Sequence, residues 1–464
     1  MQRDRASLMD RLMVSVSGVR GTVGGTLTPL VACQFGSAFG TMLGAGKTVV
    51  IGRDTRPSGP MIQSALAAGL MACGVNVVDL GVASTPGIAL MVTRTKADGG
   101  VILTASHNPI EYNGIKFLQP AGPGLTARDA ARLKAIWQDG QFAYVDSLRV
   151  GQLTRNTKTH LEHVETVCRL IDTLAVASNR FKVVLDSING AGCVATPMLL
   201  GRLGCEVAHL NSEGTGRFAH KPEPIREHLE SLCQAVVRHK AAIGFAQDPD
   251  ADRLVIVDEK GNFIGEEYTL ALCTAYVLSK KKGKVATNLV TSRMMDDVCS
   301  AAGCELIRTP TGEANVAEAM AVEGCVFGGE GNGGVMDPRV VPVRNSLIGI
   351  ALILSYMTES KLPISALAAR IPKYSFIKTK FPCPAGVAPA VAAAVRQLFA
   401  DRKDARFNEQ DGLRIDLSEG WLSVRASNTE PIMRIVAEAR EESIAGALVA
   451  QVRTVADRVI AAES

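Results

Sequence analysis

Five short segments carry residue types that chemistry needs. Thr104-Ala105-Ser106-His107-Asn108-Pro109 follows Gly99-Gly100-Val101-Ile102-Leu103, a run that reads as a buried strand. A serine in a loop at the C-terminal end of such a strand stands where α/β proteins place active sites. His107 is at hand as an acid or base. Pro109 stops a helix from running through the loop, and Lys116 follows to counter negative charge. Taken alone, a polar loop with a hydroxyl cap explains these residues equally well. G-x-S-x-G is absent, so a nucleophile elbow of the hydrolase type is not expected.

In Gln247-Asp248-Pro249-Asp250-Ala251-Asp252-Arg253, three carboxylates alternate. They would repel one another without a cation, and hard oxygen ligands at this density point to Mg²⁺ or Ca²⁺. An EF-hand fits the acids and Glu259, but its sixth position should be Gly and is Arg253. The flanks Ala242-Ile243-Gly244-Phe245 and Leu254-Val255-Ile256-Val257 read as strands, so a metal loop between two strands is expected. A solvated acidic turn is the alternative. D-x-D-x-T, a phosphatase signature, is absent.

Gly328-Gly329-Glu330-Gly331-Asn332-Gly333-Gly334 permits tight turns, and Glu330 and Asn332 could both reach sugar hydroxyls. It is neither G-x-G-x-x-G nor a P-loop, and a plain flexible turn fits as well. Arg425-Ala426-Ser427-Asn428-Thr429-Glu430-Pro431, with Arg434 beyond, makes a phosphate cradle of forked donor, hydroxyls and backbone N–H groups. Ser17-Gly18-Val19-Arg20-Gly21 presents another arginine on a turn of small residues. For a lone arginine a surface ion pair is the usual answer.

These segments need elements to hold them. Thr48–Arg53 reads as a strand, 61–73 as a helix and 74–78 as a second strand, with Gly74 closing the helix. The pattern recurs at 182–186, 195–203 and 204–207, and again at 284–290, 294–302 and 303–307. Three βαβ units imply three related α/β domains with largely parallel sheets. The C-terminal region differs: Leu413–Leu417 and Trp421–Arg425 alternate around Ser418-Glu419-Gly420 as a hairpin, 432–437 adds a strand and 443–461 a helix.

Composition agrees with a multidomain globular protein. The chain has 464 residues, 47% hydrophobic and 21% charged, which excludes a disordered chain, a collagen-like fibre or a coiled coil. A net charge of +4 gives no reason to expect nucleic-acid binding. The longest apolar stretch, Leu347 to Met357, is too short to span a bilayer. The opening Met1-Gln2-Arg3-Asp4-Arg5 leads into no apolar h-region, so a cytoplasmic protein with no membrane partner is expected. Eleven cysteines without C-x-x-C read as reduced thiols; Cys299 and Cys304 lack a second half-site for a metal.

Together the segments offer a loop serine, a divalent-metal loop, a polyol-reading loop and a phosphate cradle. A cleft between domains would assemble them for metal-assisted phosphoryl transfer on a phosphorylated polyol. In combination, T-A-S-H-N-P, D-P-D-x-D-R and R-x-S-N-T-x-P resemble the α-D-phosphohexomutase superfamily of phosphoglucomutase, phosphomannomutase and phosphoglucosamine mutase, over essentially the whole chain. The resemblance implies an α/β fold: three similar mixed-sheet α/β domains plus a smaller C-terminal α+β domain around a central cleft. The expected divisions are a phosphoserine domain at 1–157, a metal-binding domain at 158–262, a sugar-binding domain at 263–370 and a phosphate-binding domain at 371–464.

The resemblance also implies roles. Ser106 would be phosphorylated and pass its phosphoryl group to a hexose 1- or 6-phosphate, through a 1,6-bisphosphate that reorients in the cleft. Asp248, Asp250 and Asp252 would hold Mg²⁺, with a phosphoserine oxygen completing the site. Arg20, His107, Lys116 and Arg253 match positions near the transferring phosphate, His107 and Lys116 being the candidates for proton transfer. Glu330 and Asn332 match the sugar loop, and Thr311-Gly312-Glu313 another ligand-contacting turn. Arg425, Ser427, Asn428, Thr429 and Arg434 would grip the phosphate that is not reacting. A hexose 1,6-bisphosphate activator, a small sugar-phosphate partner and a monomer or homodimer follow.

The sequence departs from the pattern at several points. The usual G-E-x-S-G-H loop has Asn332 for Ser and Gly334 for His, so the acid–base role of that His does not carry over. The N-terminal motif lacks its Phe, Ala251 stands where Gly is usual, and Asn345 follows Arg344 where Asp is usual. The S-x-S-G-[IV]-R-G opening and G-E-G-N-G-G loop most resemble a bacterial and archaeal branch assigned as phosphoglucosamine mutase. Phosphomannomutase or phosphoglucomutase activity is the alternative. A non-catalytic sugar-phosphate binder is disfavoured because Ser106 and all three aspartates are present. A phosphatase using the same loop would release phosphate faster than it forms isomer.

Overall fold

The computed structural model describes residues 12–463 apart from 385 and 428–430. Three of its four sheets repeat one plan. In the first, the central strands lie in the order Asn76–Val82, Thr48–Arg53, Gly99–Leu103, Tyr112–Leu118; the first three are parallel and the last antiparallel. The second runs Glu206–Leu210, Lys182–Asp186, Ile243–Gln247, Leu254–Val257, and the third Leu306–Thr309, Val285–Asn288, Phe327–Glu330, Gly334–Met336, with the same directions. The repeat expected from sequence is thus a four-strand unit whose last strand reverses. The first sheet also gains Leu153–Arg155 at one edge and Gly18–Thr22 and Met13–Ser15 at the other.

Each predicted helix-closing glycine has the left-handed backbone that only glycine adopts freely: φ is +76° at Gly74, +66° at Gly204 and +65° at Gly303. The fourth sheet is wholly antiparallel, in the order Ser375–Pro382, Ile432–Ala439, Gly420–Ala426, Leu413–Asp416, Arg406–Asn408. The predicted hairpin is present, with Asp416 opposite Trp421. Helices Ala388–Leu398 and Glu442–Glu463 pack on this sheet.

The three α/β units share one apolar cluster, in which Ile88, Leu199, Leu270 and Leu347 all take part. The stretch Leu347–Met357 lies in the buried helix Ser346–Ser360 at its heart. Among the described residues no helix is long and apolar enough to cross a membrane. All eleven cysteines are free thiols.

Candidate active site

The chemistry-bearing loops leave the C-terminal ends of the parallel strands, the crevice where open α/β sheets bind ligands. Ser106 follows the strand Gly99–Leu103 with φ +48°, a left-handed backbone unusual for a residue with a Cβ. Its amide donates to Thr104 Oγ1 at 2.8 Å, and Thr104 Oγ1 donates to Asp54 Oδ2 at 2.7 Å. Arg56, wholly buried, braces the loop from below. Its guanidinium donates to the carbonyls of Ser106 (2.8 Å), Asn108 (2.6 Å), Pro109 (2.6 Å) and Tyr112 (2.8 Å), and it pairs with Asp54 at 3.1 Å. Four carbonyls aimed at one cation fix a strained loop that its own sequence would not hold.

The Asp248–Asp252 loop follows the strand Ile243–Gln247 and meets Ser106. Ser106 Oγ donates to Asp248 Oδ2 at 3.0 Å. Asp250 Oδ2 accepts from Thr85 Oγ1 at 2.6 Å and lies 3.4 Å from Lys116 Nζ; Asp252 Oδ2 accepts from Arg344 Nη2 at 2.6 Å. All three aspartates are buried, with ligand atoms within 4.8 Å of one another. Asp250 Oδ1 and Asp252 Oδ1 are buried without a hydrogen-bond partner among the described residues. Burial and the neighbouring carboxylates push Asp248 well above the ordinary carboxylate range. Burial would raise Asp250 too, but Lys116 and the Thr85 hydroxyl hold it below that range. Buried acids with orphaned oxygens fit a hard divalent cation.

Cations ring this point. Arg20 Nη1 donates to Asn108 Oδ1 at 2.7 Å, and Arg253 Nη2 to His107 Nδ1 at 3.0 Å. A guanidinium can only donate, so His107 Nδ1 accepts and its ring is neutral. Burial first, then Arg253 and Arg20, hold His107 far below its ordinary pKa. Lys116 is the opposite case: burial works against its charge, but Asp250 and Asp252 outweigh it and raise its pKa.

The glycine-rich segment is a tight hairpin, with Glu330 paired to Gly334 across Gly331-Asn332-Gly333. Arg344 ties it to the aspartate loop: Nη1 donates to Glu330 Oε2 at 2.8 Å, Nε lies 2.9 Å from Glu313 Oε2, and Nη2 holds Asp252. Glu330 also accepts from Asn288 Nδ2 (2.8 Å) and from the Gly312 amide (3.3 Å), which places Gly312 beside it. Asn332 Nδ2 lies 3.5 Å from Glu330 Oε2. A Cβ at Gly334 would come 2.2 Å from Arg344 Cδ, so this arginine leaves no room for the histidine usual in the resembling family.

A cavity of about 240 Å³ opens between this hairpin and the C-terminal sheet; Thr311, Glu330, Asn332, Arg425 and Arg434 help line it. Arg425 and Arg434 stand directly opposite each other on antiparallel strands. Like charges so placed repel unless an anion lies between them. Asp411 pairs with Arg425 Nε at 2.9 Å and accepts from the Thr311 amide at 2.9 Å, joining the third unit to the fourth. The Ser427 amide donates to Ile432 O at 2.9 Å. Asn428 and Thr429 lie outside the described residues.

Sequence reasoning missed Asp54, Arg56, Thr85 and Arg344's bridging contacts. Arg56 had one available signal, R-D-x-R at the end of a predicted strand. The others become visible only through partners distant in sequence.

Comparison with known proteins identifies the family. Models of the phosphoglucomutase/phosphomannomutase family match throughout: alpha/beta/alpha domain I at residues 11–144, domain II at 158–261, domain III at 265–374 and the C-terminal domain at 379–455. A probable phosphoglucosamine mutase of Methanopyrus kandleri is 39% identical over 92% of this chain and 93% of its own length. A phosphoglucomutase/phosphomannomutase of Thermococcus kodakarensis is also 39% identical, over 92% and 94%. The crystal structure of a family protein from Burkholderia thailandensis superimposes with a TM-score of 0.84 at 28% identity, covering 96% of this chain and 98% of that one. The chain therefore belongs to the phosphoglucomutase/phosphomannomutase family, the phosphohexomutases.

Proposed function

We propose that the chain interconverts hexose 6-phosphate and hexose 1-phosphate through a phosphoserine at Ser106 and a hexose 1,6-bisphosphate, with glucosamine phosphate as its preferred sugar. The observation that carries this reading is the Ser106 hydroxyl resting on a buried carboxylate triad, 3.0 Å from Asp248. The probable phosphoglucosamine mutase name of the M. kandleri relative supports the choice of sugar.

The residues present fit Mg²⁺, held by Asp248, Asp250 and Asp252; it would neutralise charge on the phosphoryl group at Ser106. Arg20 and Arg253 place two guanidiniums beside the same loop. In transfer, the bond between phosphorus and Ser106 Oγ breaks and one to a sugar hydroxyl forms, while that hydroxyl's proton leaves. Lys116 and His107 are the groups at hand to exchange it. In the resting cleft Lys116 is charged and His107 neutral. Glu330, Asn332, Thr311 and Gly312 would hold the sugar. Arg425 and Arg434, with Ser427, Asn428 and Thr429, would hold the phosphate that is not reacting. The bisphosphate must turn end for end for its other phosphoryl group to pass to Ser106, and because it can give a phosphoryl group to the free serine, added hexose 1,6-bisphosphate should activate an unphosphorylated enzyme.

The test is a matched assay of glucosamine, mannose and glucose phosphates with Mg²⁺ and the bisphosphate, with an intact-mass check for one phosphate. Ser106→Ala should abolish both the added mass and isomerisation. Unchanged turnover in that variant overturns the mechanism. A higher kcat/KM for mannose or glucose phosphate overturns the choice of sugar.

A further inference from the structure

Two carboxylates line the cavity between the glycine hairpin and the C-terminal sheet, Glu330 and Glu267, and their surroundings differ. Glu330 accepts directly from Arg344 at 2.8 Å and is further bound by Asn288. Those contacts overcome burial and keep its pKa below the ordinary value. Glu267 stands in the first turn of the helix Glu266–Lys280. Its Oε2 accepts from the Ser292 amide at 3.0 Å. A Cβ on Gly331 would lie 1.9 Å from that oxygen, so only glycine lets the carboxylate rest against the hairpin backbone. The cation nearest its other oxygen is Lys378 Nζ, 4.0 Å away and hydrogen-bonded instead to Glu266. Among the described residues, Glu267 is thus a cavity-lining carboxylate whose nearest cation stands off at 4.0 Å without a hydrogen bond to it. Burial, against Lys378 and the Ser292 amide, raises its pKa to about 8.

A sugar hydroxyl needs no uncompensated acid beside it, because a neutral amide serves as well. An ammonium group does: it turns a costly buried carboxyl into a hydrogen-bonded ion pair. We propose, resting on the mutase reading above, that Glu267 is the residue that selects an amino sugar over its hydroxyl counterpart, with the substrate ammonium taking the place that Lys378 only approaches. Lys378 is then the resident competitor. Removing it should strengthen the preference for the amine.

The experiment is titration calorimetry of the full chain with glucosamine 6-phosphate and glucose 6-phosphate, in EDTA to prevent turnover. The unmutated protein should bind the amino sugar roughly tenfold more tightly. Glu267→Gln, isosteric but uncharged, should collapse that ratio, and Lys378→Met should widen it. A folded Glu267→Gln variant with an unmoved ratio overturns the assignment and leaves the mutase reading standing, as does an unmutated protein that binds both sugars equally. Binding of neither sugar, with no isomerisation in the Mg²⁺ assay, overturns both. If Glu267→Gln fails to fold by circular dichroism, Lys378→Met decides: a wider ratio supports the assignment, and an unchanged one overturns it.

Discussion

The seam around the aspartate loop and the seam to the C-terminal sheet are built from different materials. Around the aspartates, three α/β units share one apolar cluster, and a polar knot sits on top of it. His163 Nε2 lies 3.2 Å from Asn345 Oδ1 and its Nδ1 3.4 Å from Ser84 Oγ, so one ring joins the N-caps of helices Thr85–Arg94 and Ser346–Ser360. The next residue of each helix holds the aspartate loop: the Thr85 amide donates to Asp250 O at 2.9 Å, and Ser346 Oγ to Ala251 O at 2.6 Å. The C-terminal sheet has a separate apolar cluster. Contacts across its seam are charged: Arg293 Nη2 donates to Leu417 O at 2.8 Å, the Arg293 amide to Glu438 at 2.9 Å, and Arg414, stacked on Trp421 at 4.1 Å, to Leu289 O.

The contrast is energetic. Apolar burial across the first seam is lost only by exposing surface to water, whereas ion pairs and carbonyl contacts across the second can be replaced by water at modest cost. The Ser106 and aspartate loops are therefore held rigidly, and Arg425 and Arg434, the proposed phosphate grip, sit on the part that separates most easily.

The largest test strikes the first seam. Arg344→Met would leave Asp252, Glu313 and Glu330 without their shared cation. Breaking buried pairs of this kind costs about 3–5 kcal/mol, so isomerisation should fall by two or more orders of magnitude and the melting temperature should drop. Near-normal kcat/KM would break the claim that this arginine joins the two loops.

His163 tests the same seam by pH. Burial lowers its pKa to about 4, against Asn345, while the unfolded chain titrates near 6.5. Between those values the unfolded state takes up a proton that the fold refuses, so stability falls as pH drops from 6.5 to 4 and flattens below. His163→Gln removes this share, up to about 3 kcal/mol. Parallel pH dependence of melting in both proteins would refute it.

The second seam should respond differently. Arg414→Met loosens the C-terminal sheet, and KM for hexose phosphate should rise by roughly tenfold with a smaller change in kcat, since the phosphate grip and not the reactive loop is disturbed. Trp421 fluorescence should shift with it. A fall in kcat at constant KM would show that the two seams are not separable.

The smallest effect sharpens the picture of the rigid loop. Ala251 has φ +55°, a left-handed backbone that costs a residue with a Cβ about 1 kcal/mol, so Ala251→Gly should stabilise by no more than that in denaturant unfolding. Destabilisation would mean that the buried methyl group contributes more than the backbone strain removes.

Three departures seen in the sequence acquired meaning only in space. Ala251 for Gly is a strained position. Asn345 for Asp keeps the N-cap, accepting from Leu347 and Ile348 amides at 3.1 and 3.3 Å, and does so as a neutral group beside a neutral histidine. Gly334 for His makes way for Arg344.

The sequence by itself determined the repeated strand–helix–strand units, the C-terminal hairpin, and the residues with reactive types: Ser106, the three aspartates, Glu330, Arg425. Each depends on periodicity, turn chemistry or spacing within a few residues, and these are local properties of the chain. What braces those groups was left to the tertiary structure. Arg56 reaches Ser106 O across 50 residues, Arg344 reaches Asp252 across 92, and Thr85 reaches Asp250 across 165. Such pairings follow from how separate sheets pack. A buried charge is specified by where its partner lies in space, and no local pattern encodes that distance.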